Sequence, residues 1–451
     1  ASPLGTEGTA WMWQAAGKVS VKNLRTVVKL HDLTGFDGRC DAIYFTTEEG
    51  RIPPSDMKQL EAFRRKALGF PDEAPLAGQY DLVVVGAGIA GMSAAVSAAR
   101  LGCKVALIND RPVIGGNNSS EIRVHLGGRI EEGVYKELGG LQKEFGPEKG
   151  GNAQPAENYE DQKKLDWLAN EKNVTLFLNY RAIGVTKDGN KITSVTARHI
   201  ESGKEQKFEA PLFSDCTGDG TIGYLAGADF RMGREAKSEF GESIAPEKAD
   251  KMTMGASVQW YSVDNGRSSS FPDFSYGVEF NDKNCEKVLM GEWTWETGMN
   301  LDQIKDFERI RDYGMLVVYS NWSYLKNQMK ENTQYRNRKL GWVAYVAGKR
   351  ESRRLMGDYI LKEDDITKNV THEDASFATT WSIDLHWQDP ANSAHFPGNE
   401  FKAVTKHILI HPYPVPYRCL YSRNIDNLFM AGRNISVTHV ALGTVRVMRT
   451  T

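Results

Sequence analysis

Residues Tyr80–Asn109 read YDLVVVGAGIAGMSAAVSAARLGCKVALIN, and their order decides the fold. Leu82 to Val85 is a short, wholly apolar run, as expected of a strand buried on both faces of a parallel sheet. Gly86, Gly88 and Gly91 come next with the spacing G-x-G-x-x-G. Gly86 permits a tight turn, Gly88 lets a pyrophosphate approach the backbone, and Gly91 lets the next helix pack closely on the strand. The first turn of that helix, at Ile89 and Ala90, offers free N–H groups and a positive dipole end to an anion. Ala94, Ala95, Ala98 and Ala99 favour helix, and Val105 to Ile108 reads as the second parallel strand. Strand, glycines, helix and strand in this order predict a dinucleotide-binding unit.

The residues after the second strand narrow the choice of dinucleotide. That strand ends in Asn109, 18 residues beyond Gly91, where a ribose-binding acid is expected. An amide can also bond ribose hydroxyls, and Asp110 and Arg111 stand beside it. The pair Gly115-Gly116, with Asn117 and Ser119 after it, resembles the flavoprotein continuation, in which two glycines run beneath the pyrophosphate and ribityl chain of FAD. A helix near Asp161 to Asn170 and a strand from Asn173 to Leu178 supply the next parallel strand, and Asp188-Gly189-Asn190 marks a hairpin. A strand ending in Asp215, Thr217, Gly218 and Gly220 is similar to the second flavin fingerprint of the glutathione-reductase-like fold. Leu428 to Ala431 reads as a last strand that opens at Gly432-Arg433 into a loop and helix. It resembles the final flavin-binding strand of that fold, in which many members carry Asp where Arg433 stands.

With GKRESRRLMGD at Gly348–Asp358, these segments make the chain resemble the FAD-dependent oxidoreductase family, which is widespread in bacteria. Some of its members carry the label xanthan lyase. The resemblance spans roughly residues 78–451. It implies an α/β fold with an FAD/NAD(P)-binding Rossmann-like domain, FAD as cofactor, and hydride transfer as chemistry. It does not imply a substrate.

Five segments are expected along the chain. Residues 1–50 read as a partial β-sandwich of carbohydrate-binding type, with alternating strands at Lys18–Lys22, Arg25–Leu30 and Asp41–Phe45 around a Gly35–Gly38 turn. Residues 51–78 read as a helix capped by Ser55 or Asp56 plus a linker. Residues 79–235 and 405–451 form the two parts of the FAD domain, interrupted by an inserted α+β substrate domain at 236–404. The chain opens without Met and stops a few residues into the helix that, in the family, continues over the cofactor.

Composition excludes more than it selects. A net charge of −2 gives no electrostatic footprint for nucleic acid or an anionic membrane. No stretch of apolar residues is long enough for a membrane span. The five cysteines include no C-x-x-C pair, so neither a redox disulfide nor an iron–sulfur cluster is expected, and the histidine spacing predicts no metal site. The sandwich favours an exported or periplasmic protein over a cytoplasmic one, while oligomeric state is not legible.

Proton-handling groups are the remaining question, because hydride transfer to flavin leaves a proton to move. His439, after the last flavin strand, is the first candidate, with Arg446 further along the same helix to hold an anionic substrate or oxyanion. His439 can equally be a structural histidine. Asp384 and His386 are two apart, so a strand turns both to one side, and a carboxylate beside an imidazole raises its basicity. That pair can equally be a surface ion pair. His125 and Arg123 rank behind them. The expectation is a dehydrogenase acting on a small molecule, a sugar or sugar derivative first. The alternatives are a fumarate-reductase-like enzyme working on a carboxylate C–C bond, and a non-redox carbohydrate-binding or lyase protein.

Overall fold

In the computed structural model, residues 4–5, 11–33, 40–274 and 276–450 are described, and the chain divides into two compact units, 1–75 and 76–451. Among its described residues the first unit contains one helix, α1 (Met57–Ala67), whose N-cap Asp56 accepts a hydrogen bond from Gln59 N at 3.1 Å. Around it, Tyr44 meets the Phe63 ring edge-on at 5.3 Å. The three strands expected before residue 50 are not formed: the described residues there are irregular and mostly exposed. The physical reason is that alternation marks a strand only where a partner sheet covers its apolar side, and here Val19, Val27 and Leu30 stay exposed. The Gly35–Gly38 turn lies outside the described residues.

Among the described residues the second unit holds seven sheets, the two largest of five and four strands. β1 (Leu76–Gln79) leads into β2 (Leu82–Val85), α2 (Ile89–Arg100) and β3 (Val105–Asn109). Next come α3 (Asp161–Ala169), β4 (Val174–Leu178), the hairpin β5 (Tyr180–Asp188) and β6 (Lys191–His199), then β7 (Glu205–Glu209) and β8 (Leu212–Asp215). Farther on lie β9 (Trp260–Asp264), α4 (Phe307–Asn327), β10 (Arg338–Val343), β11 (Ile383–Gln388), β12 (Ala403–Ile408), β13 (Leu428–Met430) and α5 (His439–Val445). The main sheet runs β13-β8-β2-β3-β4, every neighbouring pair parallel. β1, β7, β6 and β5 make a second sheet beside it.

The sequence explains this layout. Val83, Val84 and all of β3 are buried, as continuous apolar runs in a parallel sheet must be. α2 presents Met92, Ala95, Val96 and Ala99 to the sheet at i, i+3, i+4 and i+7, and the alanines let it approach closely. Between the two parts of this fold, β9 pairs antiparallel with β10, and α4 covers a separate apolar cluster centred on Trp260, Trp322 and Val318. Trp260 and Trp322 are fully buried, so they pack this cluster and are not free to stack on a ligand. Among the described residues no helix is long and apolar enough to cross a membrane.

Candidate functional site

The carboxyl ends of β2, β3, β8 and β13 open into one cleft of about 940 Å³. That is where open parallel sheets bind ligands, because the loops leaving the strands diverge there. The three glycines of the first motif do three separate jobs. A Cβ on Gly86 would lie 2.3 Å from Cys216 O, and one on Gly91 would lie 1.8 Å from Gly86 O, so both are demanded by the protein's own packing. A Cβ on Gly88 would meet nothing nearer than Gly116 Cα at 3.9 Å. Its missing side chain therefore serves the cleft, not the fold. Gly88 also caps α2 without any side-chain bond, leaving the helix's first N–H groups to face the cleft beside Ile89 and Ala90.

Opposite runs the second glycine turn. Gly115 and Gly116 both have positive φ, and Gly115 bridges Gly88 across the cleft wall. Lys164, with no exposed side-chain surface, supports this turn from below by donating to Asn118 O at 2.7 Å and to Tyr159 O. Asn117 donates to Lys349 O at 3.0 Å, and Ser119 lines the wall.

Two cofactor residues expected from sequence have other work. Asn109 lines the cleft, but backbone groups hold its amide: Oδ1 accepts from Ala87 N at 3.1 Å, and Nδ2 donates to Arg111 O and Val113 O at 2.9 Å. It pins the glycine turn and has no hydrogen left for ribose. Asp215 is fully buried and does not line the cleft. Its carboxylate takes hydrogen bonds from Thr217, Ile222 and Gly223, and burial still pushes its pKa up. Thr217 and Gly218 do line the cleft, with Gly432, Arg433, Asp110 and Arg111. Arg111 is clamped by both oxygens of Glu121, at 2.6 and 3.0 Å, a cleft residue without a sequence signal.

The far end of the cleft brings together Asp384, His386 and Arg446. α5 is wholly buried against β11, and Gly443 makes the approach possible, since a Cβ there would stand 3.0 Å from Asp384 N. This delivers Arg446 Nη2 to within 3.2 Å of His386 Nε2 and 3.3 Å of Asp384 Oδ2. His386 Nε2 is 3.3 Å from Asp384 Oδ1, and its Nδ1 is 2.7 Å from Glu296 Oε2. Glu296 is itself buried; burial alone would raise its carboxyl, but Arg350 and His386 hold it below the ordinary range. Burial also opposes ionisation of Asp384, and the neighbouring His386 and Arg446 reverse the balance, leaving its pKa depressed. Both acids are therefore carboxylates at neutral pH.

His439 is elsewhere. It does not line the cleft, because its Nδ1 turns to Glu351 at 2.9 Å within a buried network that includes Arg354 and Glu235. Its closeness to the last strand in sequence points to the cofactor, but a glutamate 88 positions earlier captures the ring. His125 does line the cleft, held at Nδ1 by Asn152 at 2.9 Å, whereas Arg123 is not in its wall and stacks on Trp342 at 3.8 Å. Glu296 is a site residue that no sequence pattern marked, while Asp219 and Arg350 lie inside the motif segments without being singled out.

Residues 81–451 match the family described as FAD dependent oxidoreductase. The chain belongs to that family. FAD is its cofactor, and two features of the cleft fit it: the side-chain-free space at Gly88 and the uncapped start of α2. Over 38 residues, 8% of either chain, it is 55% identical to a soluble pyridine nucleotide transhydrogenase of Ectopseudomonas mendocina. Among solved structures it is similar to L-proline dehydrogenase from P. horikoshii, with 22% identity over 33% of this chain and 24% of that one, TM-score 0.21. It is similar also to 3-ketosteroid-Δ4-(5α)-dehydrogenase from Rhodococcus jostii RHA1, with 13% identity over 45% of this chain and 62% of that one, TM-score 0.30. The chain thus spans less than two thirds of each of these relatives.

Proposed function

We propose that this cleft is a dehydrogenase site that removes hydride from a hydroxyl-bearing carbon of a small molecule, a sugar or sugar derivative first, with residues 236–404 as the substrate domain. When bound, FAD supplies the hydride acceptor. The observation that carries the reading is the His386–Asp384–Arg446 group, backed by the buried Glu296, in the same cleft as the glycine cradle.

The protein's part comes from that geometry. Glu296 accepts Nδ1–H of His386, which leaves Nε2 as the basic nitrogen on the cleft side. A substrate hydroxyl placed there loses its proton to Nε2. Asp384 at 3.3 Å then balances the imidazolium. Arg446, released from Nε2 by that proton, turns its guanidinium to the developing oxyanion. Trp293, whose ring lies 5.2 Å from the imidazole, lines the cleft and narrows the space beside it.

A second reading, a carboxylate substrate worked at a C–C bond, is favoured by the two arginines, Arg350 and Arg446, at this end of the cleft. Anaerobic bleaching of the flavin by sugars, polyols and saturated carboxylates tests both. Reduction by hydroxylated neutral compounds supports the first reading. Reduction confined to carboxylates without a hydroxyl overturns it in favour of the second.

A further inference from the structure

Away from the His386 end, one charged cluster in the cleft wall is left unbalanced. Lys349, Asp219 and Arg433 all line the cleft, and their side chains are only 13%, 19% and 18% exposed. Asp219 holds the other two: Oδ2 takes a short hydrogen bond from Lys349 Nζ, while Oδ1 accepts from Ser352 Oγ at 2.8 Å and from Arg433 Nη2 at 3.5 Å. Two cations share one carboxylate. Asp110 adds only a longer-range attraction to Lys349 from its exposed position. Arg433 Nε is buried and has no partner among the described residues. Holding surplus positive charge in a half-buried wall is unfavourable unless an anion answers it.

The cluster's position says which anion. Arg433 lies across Gly218, where a Cβ would come within 2.7 Å of the guanidinium carbon, so the arginine spreads over the loop after β8. Lys349 is tied to the second glycine turn through the Asn117 bond to its carbonyl. The loops after β2, β8 and β13 and the start of α2 therefore surround one region with glycine backbone, N–H groups and two cations. An acid at position 433 would accept hydrogen bonds from a polyol chain; an arginine cannot accept any.

We propose that Lys349 and Arg433, held apart by Asp219, clamp the diphosphate of FAD, so that this chain retains its cofactor chiefly through the phosphates. The inference rests on the FAD assignment and is independent of the dehydrogenase reading. A diphosphate carries about two negative charges, enough to answer the surplus cation and the positive end of α2 together. Asp219 stays ionised throughout, since Lys349 and Arg433 outweigh its burial and hold its pKa at about 2.

The test is binding, read without turnover. The full chain is stripped of flavin and titrated with FAD, FMN and riboflavin, monitored by fluorescence. Unmodified protein should prefer FAD and FMN over riboflavin, with FAD affinity falling as ionic strength rises and riboflavin affinity unmoved. Arg433→Gln and Lys349→Gln should each weaken FAD about ten- to a hundredfold, the range for one charge-assisted hydrogen bond, while leaving riboflavin affinity unchanged. If either variant fails to fold, the salt dependence of the unmodified protein decides the matter. FAD affinity insensitive to both substitutions or to salt overturns the proposal. So does a changed flavin reduction potential at unchanged FAD affinity, which would put the cations at the ring system instead.

Discussion

Gly88 and Gly91 are three residues apart, yet the structure predicts opposite consequences for substituting them. A Cβ on Gly91 would sit 1.8 Å from Gly86 O, inside the van der Waals radius of a backbone atom that cannot move without opening the turn. Gly91→Ala should therefore destabilise the fold by about 3 kcal/mol or more, the upper range for overpacking. Gly88 has φ −67, which any residue adopts, and 3.9 Å of clearance. Gly88→Val should cost about 1 kcal/mol of stability, the loss of a good cap residue. Its isopropyl group nevertheless fills the approach to the α2 N–H groups. FAD affinity should fall at least about a hundredfold, roughly 2.7 kcal/mol. Urea unfolding of the flavin-free chains gives the first quantity, and FAD titration the second. Gly88→Val that binds FAD at full strength, or Gly91→Ala with an unchanged unfolding midpoint, would refute the division of labour.

The same geometry makes three further outcomes checkable. Lys164→Met keeps the buried stem but strands the carbonyls of Asn118 and Tyr159, so the urea midpoint should fall by the equivalent of about 2 kcal/mol or more; an unchanged midpoint would mean the glycine turn needs no support. Asp219 has a depressed folded pKa, so its stabilising contribution is complete above about pH 4 and is lost as pH falls through about 2. Asp219→Asn should flatten the thermal-midpoint curve over that window, and identical curves would show the carboxylate contributes nothing. Arg446→Lys keeps the charge but loses the fork, and should slow substrate-driven flavin reduction about tenfold or more with the flavin spectrum intact; an unchanged rate would remove Arg446 from the chemistry.

The nucleotide fold is legible in the sequence because each signal in Tyr80–Asn109 has a single local cause. Gly91 is fixed by the turn just before its own helix and Gly86 by its positive φ in that turn, although Cys216 also crowds Gly86, and the apolar runs of β2 and β3 need only a sheet to enter. The amino-terminal alternation has no such anchor: Val19, Val27 and Leu30 carry a strand pattern, but among the described residues they stay exposed. Within the site, legibility tracks sequence distance. Asp384 and His386 share a strand face and are readable as a pair. Glu296 is not, because its partner His386 is 90 positions away and the surrounding tryptophans signal only packing. Asn109 is only half legible for a related reason. Its amide satisfies backbone groups of the turn, and that competition cannot be read without the turn's path.

Rapid-mixing reduction of the bound flavin, comparing His386→Gln with His439→Gln, tests the account most directly. The two histidines are each paired with a buried glutamate, but only His386 faces the cleft. The predicted result is a slowing of about 10²–10⁴-fold for His386→Gln, as expected of lost general acid–base help, and a rate within about threefold of the unmodified protein for His439→Gln. The reverse pattern, with His439 carrying the rate loss and His386 dispensable, would contradict the assignment of the proton-handling group.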